Sequence, residues 1–482
     1  MGRVFLIFCA LYVAAAAAWV EEGLPTKALD EMIDTIDEDA ALFCKDRTGI
    51  RRLKLLALEL YANPSPSLAR EVNETAEAVS RSYAALKSRG CIDPKSVMGE
   101  EEMLFAKPPA HPHIYSHPVI AGLERALERY VRLARMGGWE QVPYSATMRP
   151  GRAYPEIPAL KRRLAMEGYY AQAAVDANTT YSPDLVAAVR EFQRRHGLAP
   201  DGVVGPATIK ALNEPVERKI AKIMLNIERF RWIAEDDPYF VLVNIPGYTL
   251  EVWDGGRSAF RTKTIVGRKK RPTPIMRHAI AYAVLNPYWR APKTIVAEDI
   301  LPRLQKGEFE YLRKKGIIAA KDYMGKKEVP LEEVNLSKCD DIERIPYIFM
   351  QKPGPQNFLG RIKFIFPNEF DVYLHDTNHK WLFGLRRRAL SSGCIRVQKP
   401  FELFFALKDR EGGMDRKDFF AIIDSEKRTK IRFHHRPPIY LAYMTAYVTA
   451  DGELFFYPDI YGYDKRLLET IEKEALPQIL DR

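Results

Sequence analysis

Residues 370–397 read FDVYLHDTNHKWLFGLRRRALSSGCIRV. Phe370, Val372 and Leu374 alternate with Asp371, Tyr373 and His375. This is the period-2 pattern of a half-buried strand, and it predicts His375 at the strand's mouth, on the face opposite the apolar side chains. Nineteen positions later Cys394 follows Ser391, Ser392 and Gly393, small residues that let backbone approach a substrate carbonyl closely. An imidazole and a thiol are a base and a nucleophile, the pair that acyl transfer through a covalent intermediate needs. Because an ordinary thiol has a pKa near ~8.5, the imidazole and the positive field of Arg396 are expected to populate the thiolate. Amide groups around Gly393 and Cys394, with Ser392 beside them, are the candidates for holding a developing oxyanion. His379, four residues beyond His375, is expected to be a solvated loop histidine. Tyr373 and Trp381 are candidates either for pocket walls or for core packing.

The rest of the sequence sets the context for this chemistry. A chain of 482 residues exceeds one hydrophobic core, so two to four domains are expected. Hydrophobic residues at 47% and charged residues at 28% describe globular protein. The net charge of +10 suits an anionic neighbourhood, for which nucleic acid, membrane surface and bacterial wall polymer qualify equally on charge alone. Arg3 followed by the apolar run VFLIFCALYVAAAAAWV, with alanines at 16–18, reads as a secretory signal over residues 1–18. Export implies an oxidising compartment. With Cys394 as a working thiol, Cys44 and Cys91, both in the N-terminal segment, are the natural disulfide pair, leaving Cys339. No Cys/His spacing suggests a metal site, and HPHIYSH at 111–117, broken by proline, reads as loop.

In chain order, residues 25–150 carry apolar positions at three and four spacing, which predicts a helical scaffold domain. Residues 151–213 form a compact unit in which Ser182-Pro183 opens a helix, His196-Gly197 closes it and Gly205-Pro206 starts the next, giving a small three-helix bundle. A connecting helix with one apolar face follows over 214–237. From 238 to 482 the texture is β, interrupted at about 290–351 by charged helical runs that predict an inserted cap. The last segment reads as a hairpin turned at Asp451-Gly452 within that β domain.

The string His375…Ser391-Ser392-Gly393-Cys394-Ile395-Arg396 resembles the signature of the L,D-transpeptidase catalytic domain. Gly267, Thr273-Pro274 and Asn286-Pro287-Tyr288-Trp289 resemble the same domain, and FQRRHGLAPDGVVGPATIKAL resembles a peptidoglycan-binding module. Ser392 stands where many family members have a second histidine, a variant found in the larger periplasmic members. The resemblance implies a multidomain α+β protein: a β-rich catalytic domain with a helical cap insertion, a three-helix peptidoglycan-binding domain and a helical N-terminal scaffold. It further implies periplasmic peptidoglycan crosslinking without cofactor, metal or nucleic acid. Cys394 would form a thioester with a tetrapeptide stem and release D-Ala, with His375 as base and Gly393, Ser392, Arg396 and Tyr373 as oxyanion or substrate contacts. Carbapenem-type inhibitors would acylate the same cysteine. Water in place of the acceptor amine would make a carboxypeptidase or a crosslink-cleaving enzyme, and loss of chemistry would leave a wall-binding scaffold.

Overall fold

The computed structural model describes residues 19–39, 44, 47–91, 103–104, 117–231, 233, 238–334 and 345–474. The signal expected over 1–18, Cys339 and most of the 111–117 histidine segment lie outside them. The chain forms two units, residues 1–236 with 444–482, and residues 237–443.

The first unit is helical. Lys27–Glu38, Arg47–Ala62 and Pro66–Arg89 enclose a core that includes Leu29, Leu53, Leu60, Val72 and Ala76. Ser65 caps the third of these through a bond from the Leu68 amide at 3.3 Å, with Pro66 opening the helix. Cys44 and Cys91 are joined, with Cα atoms 5.5 Å apart. The small module consists of helices Ile157–Met166, Pro183–Arg195 and Pro206–Leu212 around Leu160, Leu164, Leu185, Val189 and Phe192. Its boundaries fall where Pro183, His196 and Pro206 predict them. Gln193 is a packing residue: its amide nitrogen donates to Asp201, Val203 and Thr208, and its oxygen accepts from the Gly202 amide.

The connecting helix, Val216–Arg231, departs from the amphipathic expectation. Its charged residues Lys219, Glu228, Arg229 and Arg231 are buried along with its apolar ones. Burial of charge is tolerated where ions pair. Lys219 Nζ lies 2.6 Å from Glu167 Oε1 and 3.0 Å from His196 Nε2, Tyr130 Oη donates to Glu167 at 2.5 Å, and Arg163 pairs with Glu167 at 2.6 Å. The module is thereby pinned to the connecting helix and to helix Pro118–Arg135, which carries Tyr130. The C-terminal hairpin, strands Ala446–Val448 and Leu454–Phe456, turns at Asp451-Gly452 as expected, but among the described residues its strands pair only with each other, and it belongs to this first unit.

The second unit is built on one long sheet. Its strands run in the order Thr429–Arg432, Tyr282–Leu285, Ile362–Ile365, Leu374–His375, Ile395–Val397, Arg257–Gly267, Thr249–Asp254, Tyr239–Asn244, Pro438–Ala442 and Ile275–Ala279. Most pairs are antiparallel, but Leu374–His375 pairs in parallel with Ile395–Val397. Helix Pro400–Lys408 buries Leu403, Phe404, Phe405 and Leu407. The insertion is not purely helical. Beside short helices such as Leu301–Gln305 and Phe309–Lys314 it holds an antiparallel sheet of Glu328–Val329, Ile318–Ala320, Ile348–Gln351 and Trp289–Arg290, with its own core of Trp289, Ile300, Leu312 and Phe349.

Candidate active site

The histidine strand is shorter than its alternation suggests. Asp371 sits at φ 52, which ends extended backbone, and only Leu374–His375 is strand. Asn368 Oδ1 accepts the Phe370 and Val372 amides at 3.1 and 3.2 Å, and Phe370 faces solvent. This turn directs the Asp371 carbonyl toward the Cys394 sulfur, which donates to it at 3.7 Å.

Register assembles the site. Leu374 pairs with Ile395 and His375 with Arg396, while on the other side Lys363 pairs with His375. The Ile395 amide donates to the Tyr373 carbonyl at 3.1 Å, which extends the register to Tyr373 and Cys394. Alternation along each strand then puts Tyr373, His375, Cys394, Arg396 and Lys363 on one face. His375 and Cys394 are diagonal neighbours across the parallel pair, a relation that spans roughly 7–8 Å in sheets and lies within reach of side chains.

His375 Nδ1 donates to the Asp376 carbonyl at 2.5 Å, which leaves Nε2 as the proton acceptor. Asp376 is itself held: its carboxylate accepts the Arg361 amide at 2.9 Å and pairs with Lys380, and its own amide donates to the Ile362 carbonyl. A Cβ on Gly360 would lie 2.2 Å from that carboxylate, so glycine is required there. Burial, then the charge of Arg396, pushes His375 down to about 3. The imidazole is neutral at physiological pH.

Cys394 is half-buried, and burial raises its thiol pKa although Tyr373, Lys363 and Arg396 act against the shift. The resting site therefore holds thiol and neutral imidazole. This corrects the expected populated thiolate: the two cations do not offset the loss of solvent. Gly393, at φ 114, takes backbone that favours glycine. Its amide is occupied, donating to Ser391 Oγ at 3.2 Å, while Ser391 Oγ donates to the Cys394 carbonyl at 2.6 Å. The Ser392 and Cys394 amides make no hydrogen bond among the described residues and are the donors open to an oxyanion.

Thr273 staples the turn, accepting the Gly267 amide at 2.8 Å and donating to the Gly393 carbonyl at 2.7 Å. Arg271 donates to Ser392 Oγ at 3.1 Å and pairs with Glu298 of the insertion. Tyr373 packs against the insertion's core. Trp381 is 68% exposed, so the core-packing expectation fails for it. His379 lies in a loop, half-buried and stacked on Phe358 at 6.2 Å, with burial and Arg396 lowering its pKa. Sequence reasoning missed Lys363, Asp376 and Arg271; only the alternation of Ile362, Phe364 and Phe366 around Lys363 signalled a polar side chain on the active face.

The sheet thus presents a cysteine turn and a histidine on one face, an arrangement whose residue types suit acyl transfer through a thiol. Residues 238–416 match the YkuD model, the L,D-transpeptidase catalytic domain, and residues 153–212 match a domain provisionally described as peptidoglycan-binding. Over that catalytic segment the chain is thus similar to L,D-transpeptidases. It is 33% identical over 246 residues to a Haemophilus influenzae protein provisionally named an L,D-transpeptidase, a match covering 51% of this chain and 48% of that protein. The chain therefore spans about half the length of that relative. Crystal structures of L,D-transpeptidases from Xylanimonas cellulosilytica and Stackebrandtia nassauensis are 16% and 14% identical, with TM-scores of 0.17 and 0.21. They cover 62% and 61% of this chain, and 98% and 94% of their own.

Proposed function

We propose that the protein crosslinks peptidoglycan by L,D-transpeptidation through a thioester on Cys394. The observation that carries this reading is the parallel pairing of the His375 strand with the strand after Cys394, which brings a neutral imidazole and a thiol to one face. In the reaction, His375 Nε2 takes the Sγ proton as sulfur attacks the carbonyl preceding the terminal D-Ala of a tetrapeptide stem. The tetrahedral oxyanion is received by the Ser392 and Cys394 amides. Its collapse breaks the peptide bond, and the imidazolium returns the proton to the departing D-Ala amine. An amine of a neighbouring stem then attacks the thioester, His375 removes its proton, and the thiol is restored.

The 153–212 module is proposed to hold the enzyme on glycan strands, which raises local substrate concentration. The site of action is proposed to be the periplasm. The Cys44–Cys91 disulfide supports an oxidising compartment. Carbapenem-type inhibitors are proposed to acylate Cys394. Incubating the purified chain with tetrapeptide muropeptides and weighing the products tests the activity. Crosslinked dimers with free D-Ala are expected; tripeptide alone would mean water is the acceptor, and no product would refute the reading.

A further inference from the structure

His375 is flanked across the sheet by two cations, Lys363 on one strand and Arg396 on the other. The reaction needs neither as an acid or base. Both are half-buried on the face that carries the thiol. The Lys363 side chain makes no hydrogen bond or ion pair among the described residues, and its ammonium lies 4.9 Å over the Tyr373 ring. Arg396 likewise has no carboxylate partner there, and its Nε is buried without an acceptor. Arg290, held by the Tyr323 carbonyl at 2.6 Å, and Arg428 add to the positive field on Lys363.

Half-buried charge without a partner is costly, and unpaired donors facing a reactive group are the signature of a ligand's place. A guanidinium matches the planar geometry of a carboxylate, and an ammonium opposite it supplies a second point charge. We infer that Lys363 and Arg396 form a carboxylate clamp astride the His375–Cys394 pair, binding an anionic group of the donor stem next to the scissile carbonyl. This rests on the proposed stem-peptide donor. Two carboxylates have the right chemistry: the terminal one of the departing D-residue, and a side-chain carboxylate on the third residue. Either would neutralise the cations and fix the carbonyl over the sulfur. Burial and the neighbouring cations push Lys363 down to about 8, a strain that a bound carboxylate would relieve.

The test uses the full chain as Cys394→Ala, where no acyl transfer occurs, with calorimetric binding of three synthetic tetrapeptides: the free acid, its C-terminal amide and its third-residue side-chain amide. One amidation is expected to weaken binding about tenfold or more, the scale of a charge-assisted hydrogen bond. Whichever amide loses affinity identifies the source. Adding Lys363→Met should weaken the free acid to the amide's level and leave that amide unchanged, and Lys363→Arg should restore the preference. Equal binding of acid and both amides, no binding at all, or a preference that survives Lys363→Met would overturn the clamp. Acyl-enzyme formation on the unsubstituted chain is scored separately. If the Lys363-dependent preference persists while no thioester forms, the clamp stands and the transpeptidase reading falls.

Discussion

His375 Nδ1 and the Asp376 carbonyl oxygen are 2.5 Å apart, so one backbone acceptor fixes the tautomer of the base and aims Nε2 at the thiol side. The carboxylate of Asp376 is fixed in turn by the Arg361 amide and Lys380, in space left by Gly360. Gly360→Ala, with φ 59 and a Cβ 2.2 Å from that carboxylate, should displace Asp376 and slow acylation of Cys394 by about 100-fold, the scale on which misplacing a catalytic group by about 1 Å acts. Timed intact-mass spectra with a tetrapeptide donor give the rate. An unchanged rate would mean that Asp376 does not position the base.

Thr273 should matter through the turn and not through substrate. Thr273→Val removes the hydroxyl that bonds both the Gly267 amide and the Gly393 carbonyl, costing about 1–3 kcal/mol. We expect lower thermal stability together with slower acylation, and Thr273→Ser should recover both.

Acid should destabilise the protein earlier than carboxylate titration predicts. Burial holds His117 and His375 near a pKa of about 3, against about 6.5 unfolded. Between those values the unfolded chain binds more protons, so stability is full above about pH 6.5 and is lost as pH falls toward 3. By pH 5 each histidine should cost about 2 kcal/mol. His117 caps helix Pro118–Arg135, accepting the Val119 amide at 3.3 Å. His117→Asn keeps a capping side chain and removes the titration, so it should flatten the dependence of melting temperature on pH between 7 and 5. An unaltered slope would contradict the assignment.

The pinned module gives a fourth expectation. Lys219→Met removes a buried cation while Glu167 stays ionised, which should cost about 3–5 kcal/mol. Adding Glu167→Gln should recover part of that loss in a double-mutant cycle by thermal unfolding. Strict additivity would show that the pair is not coupled.

The parts of this architecture legible in the sequence were those with strong local signals. Ser182-Pro183, His196-Gly197 and Gly205-Pro206 fix the module's helices because proline and glycine constrain backbone directly. The serine-glycine-cysteine turn was legible because a nucleophile needs small neighbours. The insertion's sheet was not, since its strands are two to four residues long and show no alternation. The buried charges of Val216–Arg231 were hidden for a different reason: periodicity assigns Lys219 to solvent, and its burial is made tolerable by Glu167 and His196, residues distant in sequence. Asp371 escaped because a positive φ in an alternating run is set by the Asn368 turn, and Lys363 because a lysine in a strand reads as solvated until its cross-strand partner is known.

The central claim is that Cys394 carries the acyl group and His375 moves the proton. Intact-mass spectrometry of the full chain with a tetrapeptide donor tests it most directly, run on the unsubstituted protein, Cys394→Ala and His375→Gln. A mass gain equal to the donor minus D-Ala should map to the peptide bearing Cys394 and vanish in Cys394→Ala. In His375→Gln it should form about 100-fold to 10,000-fold more slowly, the range set by loss of a general base. An adduct that persists in Cys394→Ala, or one that forms at full rate in His375→Gln, would contradict the account.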